Sequence, residues 1–449
     1  MLVPALTARR SPRPPNGDRA RDQRLGASHS TEDRLEEARG LAEAIDLDVC
    51  HAGAVPLPSP RPATLFGSGK VREIGELVRS EEADLVIIDH AVSPVQQRNL
   101  ETAWNCKVLD RTGLILEIFG RRAHTREGRL QVELAHLTYQ RSRLVRSWTH
   151  LERQRGGYGF LGGPGETQIE TDRRLLQERI DKIRDELKVV VKTRALHRSG
   201  RRRVPYPIVA IVGYTNAGKS TLFNRITGAG VLAVDQVFAT LDPTMREVAL
   251  ESGRRLILSD TVGFISELPT MLVAAFRATL EEVVEADLVL HVRDISHAER
   301  EAQRLDVERV LKDLGIDALA PDTKVLEVWN KIDRLDARER EEIENSARRA
   351  LPRPVLVSAV SGEGVADLLQ AIDERLATAD EVVTLEVPTE AGGLISWLHR
   401  NGEVLGRETT DAGHLILHVR VDAATRGKLQ GQMKRAGLAA GADQAHERD

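Results

Sequence analysis

"IVAIVGYTNAGKSTLFN", residues Ile208 to Asn224, sets five apolar and mostly β-branched residues directly before Gly213-Tyr-Thr-Asn-Ala-Gly218-Lys219-Ser220. The apolar run reads as a buried strand and the residues from about Thr221 onward as a helix. Between them lies a full G-x-x-x-x-G-K-S. In that setting the backbone N–H groups of the loop and the helix N-terminus surround a β-phosphate. Lys219 supplies a point charge to β and γ oxygens, and Ser220 offers its hydroxyl to Mg²⁺. The stretch therefore predicts a site for a nucleoside triphosphate. Strand-like runs "RLILSD", "DLVLHVRD", "KVLEVWN" and "PVLVSAV" then alternate with helical stretches to about Thr378. That alternation predicts an α/β fold with a doubly wound, mostly parallel sheet.

A second motif selects the base. Asn330-Lys331-Ile332-Asp333 ends the run "KVLEVWN", where the Asp333 carboxylate can accept from both N1–H and the exocyclic amine of guanine. Adenine has no donor at that ring nitrogen, so the carboxylate would be left unpaired at a cost. Ser358-Ala359, at the end of the next strand, completes the pocket near the guanine carbonyl. Between the two motifs, Asp260-Thr-Val-Gly263 is a D-x-x-G, whose Asp holds Mg²⁺ through water and whose Gly263 amide donates to a γ-phosphate. Phe238-Ala-Thr240-Leu-Asp242-Pro-Thr244 lies where a switch threonine closes over the metal. By position alone, both Thr240 and Thr244 qualify.

The rest of the chain divides by pattern. Residues 1–32 read as a disordered basic tail, Arg- and Pro-rich with little apolar content. Residues 33–128 alternate helical and strand signals and read as a small α/β domain. "FGSGK" within it lacks the spacing of a phosphate loop and reads as a turn. From Leu130 the period changes: Leu134, Leu137, Leu144, Trp148 and Leu151, then Ile169, Leu176, Ile180, Ile183, Leu187 and Val190, form narrow apolar seams. Residues 129–203 thus read as an antiparallel helical hairpin with a basic linker, its second helix starting at the capping box Thr167 to Glu170. Residues 204–378 form the nucleotide-binding domain, and 379–449 a small α+β domain with a disordered tail. His414 and His418, spaced for one face of a strand, read as a surface pair.

At the hairpin turn lies "RGGYGFLGGPGETQ", with six glycines in fourteen residues and a literal G-x-G-x-x-G. It follows a helix and not a strand, which excludes a dinucleotide loop. A bare tip of this kind can lay backbone against RNA. Arg153, Arg155, Arg173 and Arg174 would add phosphate contacts around Gly156, Gly157, Gly159, Gly162, Gly163 and Gly165. From Arg121 to Arg155 there are nine Arg and no Lys against three Glu, a local excess suited to a polyanion although the whole chain has net charge −4. Two cysteines make no disulfide framework, no Cys/His cluster has zinc spacing, and no apolar run reaches 18 residues, so a cytoplasmic protein without a membrane span is expected.

"GYTNAGKSTLFN", "FATLDPT" and "DTVGFI", together with "GPGETQIETDRR", resemble the HflX family of translational GTPases within the wider Obg-like group. The resemblance covers nearly all of residues 33–430. It implies a Mg²⁺-dependent GTPase that binds the large ribosomal subunit and dissociates stalled or idle ribosomes; separately, a monomer is expected. It also places Mg²⁺ on Ser220, Thr240 and, through water, Asp260, settling the switch threonine as Thr240. Lys219, Thr240 and Gly263 become the catalytic residues. Carried over the same way, nucleotide contacts fall on Gly213, Tyr214, Thr215, Asn216, Ala217, Gly218, Lys219, Ser220 and Thr221. Further contacts fall on Phe238, Ala239, Thr240, Leu241 and Asp242, then Asp260, Thr261, Val262 and Gly263. The base side has Asn330, Lys331, Ile332, Asp333, Ser358, Ala359 and Val360. A rival reading keeps GTP gating and rRNA binding but no splitting; another is an RNA-remodelling ATPase. Phe264 stands where signalling GTPases carry a water-orienting Gln, so unaided hydrolysis is expected at roughly 10⁻⁴ to 10⁻³ per second, with a partner raising it by about 10³ to 10⁵.

Overall fold

The computed structural model describes residues 1–6, 29–152, 164–201, 206–229, 237–238, 244–266, 277–320, 323–377, 380–389, 391–410, 414–422, 429 and 431–433. An N-terminal layer is built from β1 (Leu2–Leu6), α1 (Thr31–Glu43), β2 (Gly53–Leu57), α2 (Ser68–Ser80), β3 (Leu85–Ile88), α3 (Pro94–Trp104), β4 (Lys107–Asp110) and α4 (Arg111–Arg122). Its four strands lie in the order β2-β1-β3-β4, all parallel.

This corrects the reading of residues 1–32 as a tail. Leu2–Leu6 is an internal strand of the sheet, with Leu2 buried. Pro4, which has no N–H to give a ladder, is tolerated because β1 registers with β3 only through Leu2 and Ile88. At the other end of the stretch, Ser30 caps α1 by accepting from Asp33 N at 3.1 Å. The His29 ring lies between Glu299, at 2.6 Å, and Asp306, at 2.8 Å. Residues 7–28 lie outside the described residues. "FGSGK" straddles the start of α2, with Gly67 at its N-cap. Ser93 and Gln96 form a reciprocal capping box that starts α3 with Pro94 in its first turn.

The hairpin follows as α5 (Arg126–Glu152) and α6 (Pro164–Arg201). They run in opposite directions: Arg179 reaches Glu133 at 2.7 Å, and Arg141 donates to Gln177 farther along. Leu130, Ile180 and Ile183 are buried in the seam, as the spacing predicts, while Leu134, Leu137, Leu144, Leu176 and Leu187 are half-buried. The side chains of Trp148, Leu151 and Ile169 lie outside the described residues. One expectation fails here: α6 begins at Pro164 and not at Thr167, so the supposed capping box sits inside the helix. Proline at a first helical position, with φ already set and no N–H to satisfy, is the stronger start signal. The middle of α5 is fixed to the N-terminal layer, where Arg143 lies 4.3 Å over the Tyr139 ring and reaches Asp110 Oδ2 at 2.5 Å. Burial, with the Asp110 charge beside it, raises the Tyr139 phenol far above its ordinary value.

The third unit comprises β5 (Ile208–Gly213), α7 (Lys219–Thr227), β6 (Thr244–Ala249), β7 (Arg255–Asp260), α8 (Arg277–Glu285), β8 (Leu288–Asp294), α9 (Arg300–Asp313), β9 (Val325–Asn330), α10 (Ala337–Arg349), β10 (Val355–Leu356) and α11 (Val365–Ala377). Its sheet order is β10-β9-β8-β5-β7-β6, parallel except for the edge strand β6. Strand order reverses beside β5, which creates the crevice where open α/β sheets bind ligands. One apolar cluster continues from α1 and α4 into this unit, joining Leu41, Ile115 and Phe119 to Val212, Phe238 and Phe264. The last unit is a three-stranded antiparallel sheet, β11 (Asp380–Pro388), β13 (His414–Asp422) and β12 (Glu403–Thr409) in that order, with α12 (Gly392–Asn401). His414 and His418 do share its outer face, separately paired with Glu386 at 2.9 Å and Thr384 at 3.0 Å.

Candidate nucleotide-binding site

β5 is buried along nearly its whole length and delivers the chain to a turn at Tyr214–Gly218 before α7 starts at Lys219. Gly218 holds φ at 91°, and a Cβ there would lie 2.3 Å from Asn330 Nδ2, so both its backbone angle and its surroundings require glycine. Lys219 is buried, and its Nζ donates to Tyr214 O at 2.7 Å, which curls the loop around the ammonium. Desolvation lowers its pKa to about 8, with Asp260 opposing the shift and Lys331 adding to it. Positive charge is thus concentrated where the N-terminus of α7 already favours an anion. Thr221 sits half-buried in the first turn, and Asn216 adopts φ 60° at the loop's exposed corner.

The D-x-x-G segment runs alongside. Ser220 Oγ donates to Asp260 Oδ2 at 2.6 Å, and Thr261 Oγ1 donates to Ile211 O at 2.6 Å. Thr215 N donates to Phe264 O at 2.7 Å while Phe264 N donates to Gly213 O at 3.0 Å, zipping the segment to the phosphate loop. Gly263 therefore lies against the lysine: an added Cβ would meet Lys219 Nζ at 2.9 Å. Val262 and Phe264 turn inward, and Phe264 is 1% exposed in the apolar cluster shared with α1 and α4. Its ring is core, not a group that faces the γ-phosphate side.

On the base side, Asn330 donates from Nδ2 to Ala217 O at 2.8 Å and accepts at Oδ1 from Ala359 N at 3.0 Å. Lys331, in a left-handed conformation, forms a 2.7 Å ion pair with Asp294 Oδ2. Ile332 is buried and Asp333 is exposed on a short 3₁₀ turn, Ile332–Arg334. Ser358 is fully buried and accepts at Oγ from Ser361 N at 3.1 Å, whereas Val360 stands exposed at the rim. Arg225 of α7 donates from Nε to Ala359 O at 3.2 Å and bonds Val360 O as well. Asp294 and Arg225 were not legible in the sequence, since no motif spacing singles them out.

Of the switch residues, Phe238 is described: it is buried, with φ 56°, edge-on to Phe119 at 4.6 Å. Ala239, Thr240, Leu241 and Asp242 lie outside the described residues. Thr244 opens β6 and pairs in register with Asp260 as a sheet residue. At the hairpin, Arg153, Arg155, Gly156, Gly157, Gly159, Gly162 and Gly163 lie outside the described residues. Gly165 falls within the first turn of α6, and Arg173 and Arg174 are exposed on the same helix.

A phosphate loop closing on a buried lysine, a D-x-x-G strand zipped to it, and N-K-x-D and S-A loops clamped to it define a P-loop GTPase. Residues 208–331 match the family description "50S ribosome-binding GTPase". Residues 32–120 and 122–201 match "GTP-binding GTPase N-terminal" and "GTP-binding GTPase Middle Region", and 345–443 match "HflX C-terminal domain". The GTPase HflX of Magnetococcus marinus is 50% identical over 407 residues, spanning 90% of this chain and 91% of that one. That of Escherichia coli K12 is 45% identical over 387 residues, 86% of this chain and 89% of its own. A GTP-binding protein of Sulfolobus solfataricus, solved with GDP, aligns over 77% of this chain and 96% of its own at 24% identity and TM-score 0.41. The chain belongs to the HflX family of GTPases, and the reaction it catalyses is hydrolysis of GTP to GDP and phosphate. Among the described residues, no helix is long and apolar enough to cross a membrane.

Proposed function

We propose that this GTPase acts, as a cytoplasmic monomer, on the large ribosomal subunit, and that its GTP-bound form dissociates stalled or idle ribosomes. The single observation behind this reading is the union, in one chain, of the clamped GTP pocket with a basic helical hairpin rooted in the layer that packs against that pocket. The match of residues 208–331 to a family described as ribosome-binding supports the partner. GTP would lie with its phosphates over Gly213–Thr221 and its base between Asn330–Asp333 and Ser358–Val360, Asp333 taking the guanine donors. Lys219 would stabilise charge on the β and γ oxygens, and the Gly263 amide would donate to the γ-phosphate.

Ser220 Oγ and Asp260 Oδ2 converge to 2.6 Å beside the N-terminus of α7, an all-oxygen donor set that suits Mg²⁺. Ser220 and Thr240 would hold the ion directly and Asp260 through water. When bound, it would neutralise charge developing on the β- and γ-phosphates. Arg153, Arg155, Arg173, Arg174 and the glycines of the hairpin tip would meet rRNA phosphates and position the arm without reading sequence.

Sedimentation of assembled ribosomes with this protein and a non-hydrolysable GTP analogue tests the reading. Free subunits are expected; intact ribosomes carrying bound protein would instead support a GTP-gated scaffold.

A further inference from the structure

Tyr214 occupies the first variable position of the phosphate loop, yet its side chain faces away from the nucleotide crevice, into the N-terminal layer. Its hydroxyl donates to Glu37 Oε2 of α1 and accepts from Ser266 N at 2.8 Å. Ser266 Oγ donates to Glu37 Oε1 at 2.6 Å. Arg111, the first residue of α4, reaches the same Glu37 oxygen at 2.5 Å, Ser266 O at 2.8 Å and Ser266 Oγ at 2.9 Å. Asp89 holds Arg111 from the other side and pairs with Arg34 at 3.1 Å. Burial and then the Glu37 charge raise the Tyr214 phenol well above its ordinary value, which keeps it a hydrogen-bond donor.

Ser266 follows Gly263 by three residues, and the segment between is bonded to the loop through Phe264. Gly263 is therefore placed from two directions: by the phosphate-loop backbone, and by charged side chains of the N-terminal layer that act through Tyr214 and Ser266. Buried polar networks of this kind bring little net stability but hold one arrangement sharply, because each partner left alone is costly.

We propose that Glu37 and Arg111 are positioning residues for GTP hydrolysis, fixing through Tyr214 and Ser266 the loop whose Gly263 amide meets the γ-phosphate. The coupling is reciprocal: a force that displaces the N-terminal layer changes the preference for GTP over GDP, and the γ-phosphate changes the docking of that layer. The inference rests on the proposed contact of the Gly263 amide with the γ-phosphate and does not depend on ribosome dissociation.

The test uses the full chain and the variants Glu37→Gln, Tyr214→Phe and their combination. Affinities for a fluorescent GTP analogue and for GDP are measured beside single-turnover hydrolysis. Each variant is expected to lose about fivefold or more of its GTP affinity relative to GDP, with slower hydrolysis. The double variant should lose less than the sum of the two single changes, because both act on the Tyr214–Glu37 bond. An equal loss for both nucleotides would reduce the network to packing, and unchanged values for both would remove it from the reaction; either overturns the proposal. If Glu37→Gln does not fold, Ser266→Ala, which deletes the hydroxyl bonded to Glu37 and Arg111, tests the same network.

Discussion

Asn330 and Ala217 are joined by a 2.8 Å hydrogen bond that ties the end of β9 to the phosphate loop, while the same carboxamide accepts from Ala359. One buried side chain thus joins the N-K-x-D strand, the phosphate loop and the Ser358-Ala359 turn. Replacing it with alanine leaves a carbonyl and an N–H without this partner, a cost of about 1–3 kcal/mol. Asn330→Ala should therefore weaken GDP and GTP alike, leaving their ratio near that of the parent. Isothermal titration with both nucleotides checks this, and it contrasts with the unequal losses expected of Glu37→Gln.

Asp333 should decide the base. With Asp333→Asn the amide presents a donor where guanine also presents donors, so GTP affinity is expected to fall by about 10- to 100-fold. Xanthosine triphosphate, which offers a carbonyl in place of the exocyclic amine, should gain. Competition binding with the two nucleotides reads both changes, and a variant that keeps tight GTP binding would remove Asp333 from base recognition.

Phe264 should not be convertible into a water-orienting residue. Its ring is packed in the apolar cluster shared with Phe119 and Phe238, so Phe264→Gln buries an amide without a designed partner. The expected outcome is a lower melting temperature and no gain in unaided turnover. Added large ribosomal subunits, by contrast, should raise turnover by about 10³-fold or more in the parent protein. A steady-state phosphate-release assay with and without subunits measures both effects.

The contact of His29 with Glu299 and Asp306 should make docking of the N-terminal segment depend on pH. The hydrogen bond to Asp306, opposed by partial burial and joined by the bond to Glu299, raises its pKa from 6.5 to about 9. A raised pKa means that the stabilisation is fully present below about pH 6.5 and is lost as pH rises through about 9. Its worth is on the order of 1 kcal/mol once screening is allowed for. The difference in melting temperature between the parent and His29→Ala should accordingly shrink from pH 6 to pH 10. A constant difference across that range would show that the charge on His29 contributes nothing.

How much of this was legible in the sequence follows from how local each signal is. The phosphate loop, Asp260, Asn330 and Ser358 each sit at a strand end marked by a short motif, and the sheet order brings them together. The hairpin was readable because a seam of threes and fours describes one helix face by itself. β1 was missed because five residues with a proline look like tail until β2 and β3, some fifty and eighty residues on, supply their pairing. Thr167 misled because a capping box is only a pattern of two residues, and Pro164 outweighed it. Glu37, Arg111 and Ser266 were invisible for the same reason as β1: they lie on three separate segments, and only packing makes them neighbours.

The rooting of α5 has a mechanical consequence. Its 27 residues give a rod about 40 Å long, gripped just past its middle, where Tyr139 and Arg143 meet Asp110, so about 14 Å of helix runs on from Arg143 to Glu152. A pivot of about 10° at that grip would sweep the distal end of α5 through roughly 2 Å, by the same rise per residue. Any rotation of the N-terminal layer at Asp110 would thereby be carried along the helix toward the hairpin tip, with no hinge needed along the rod.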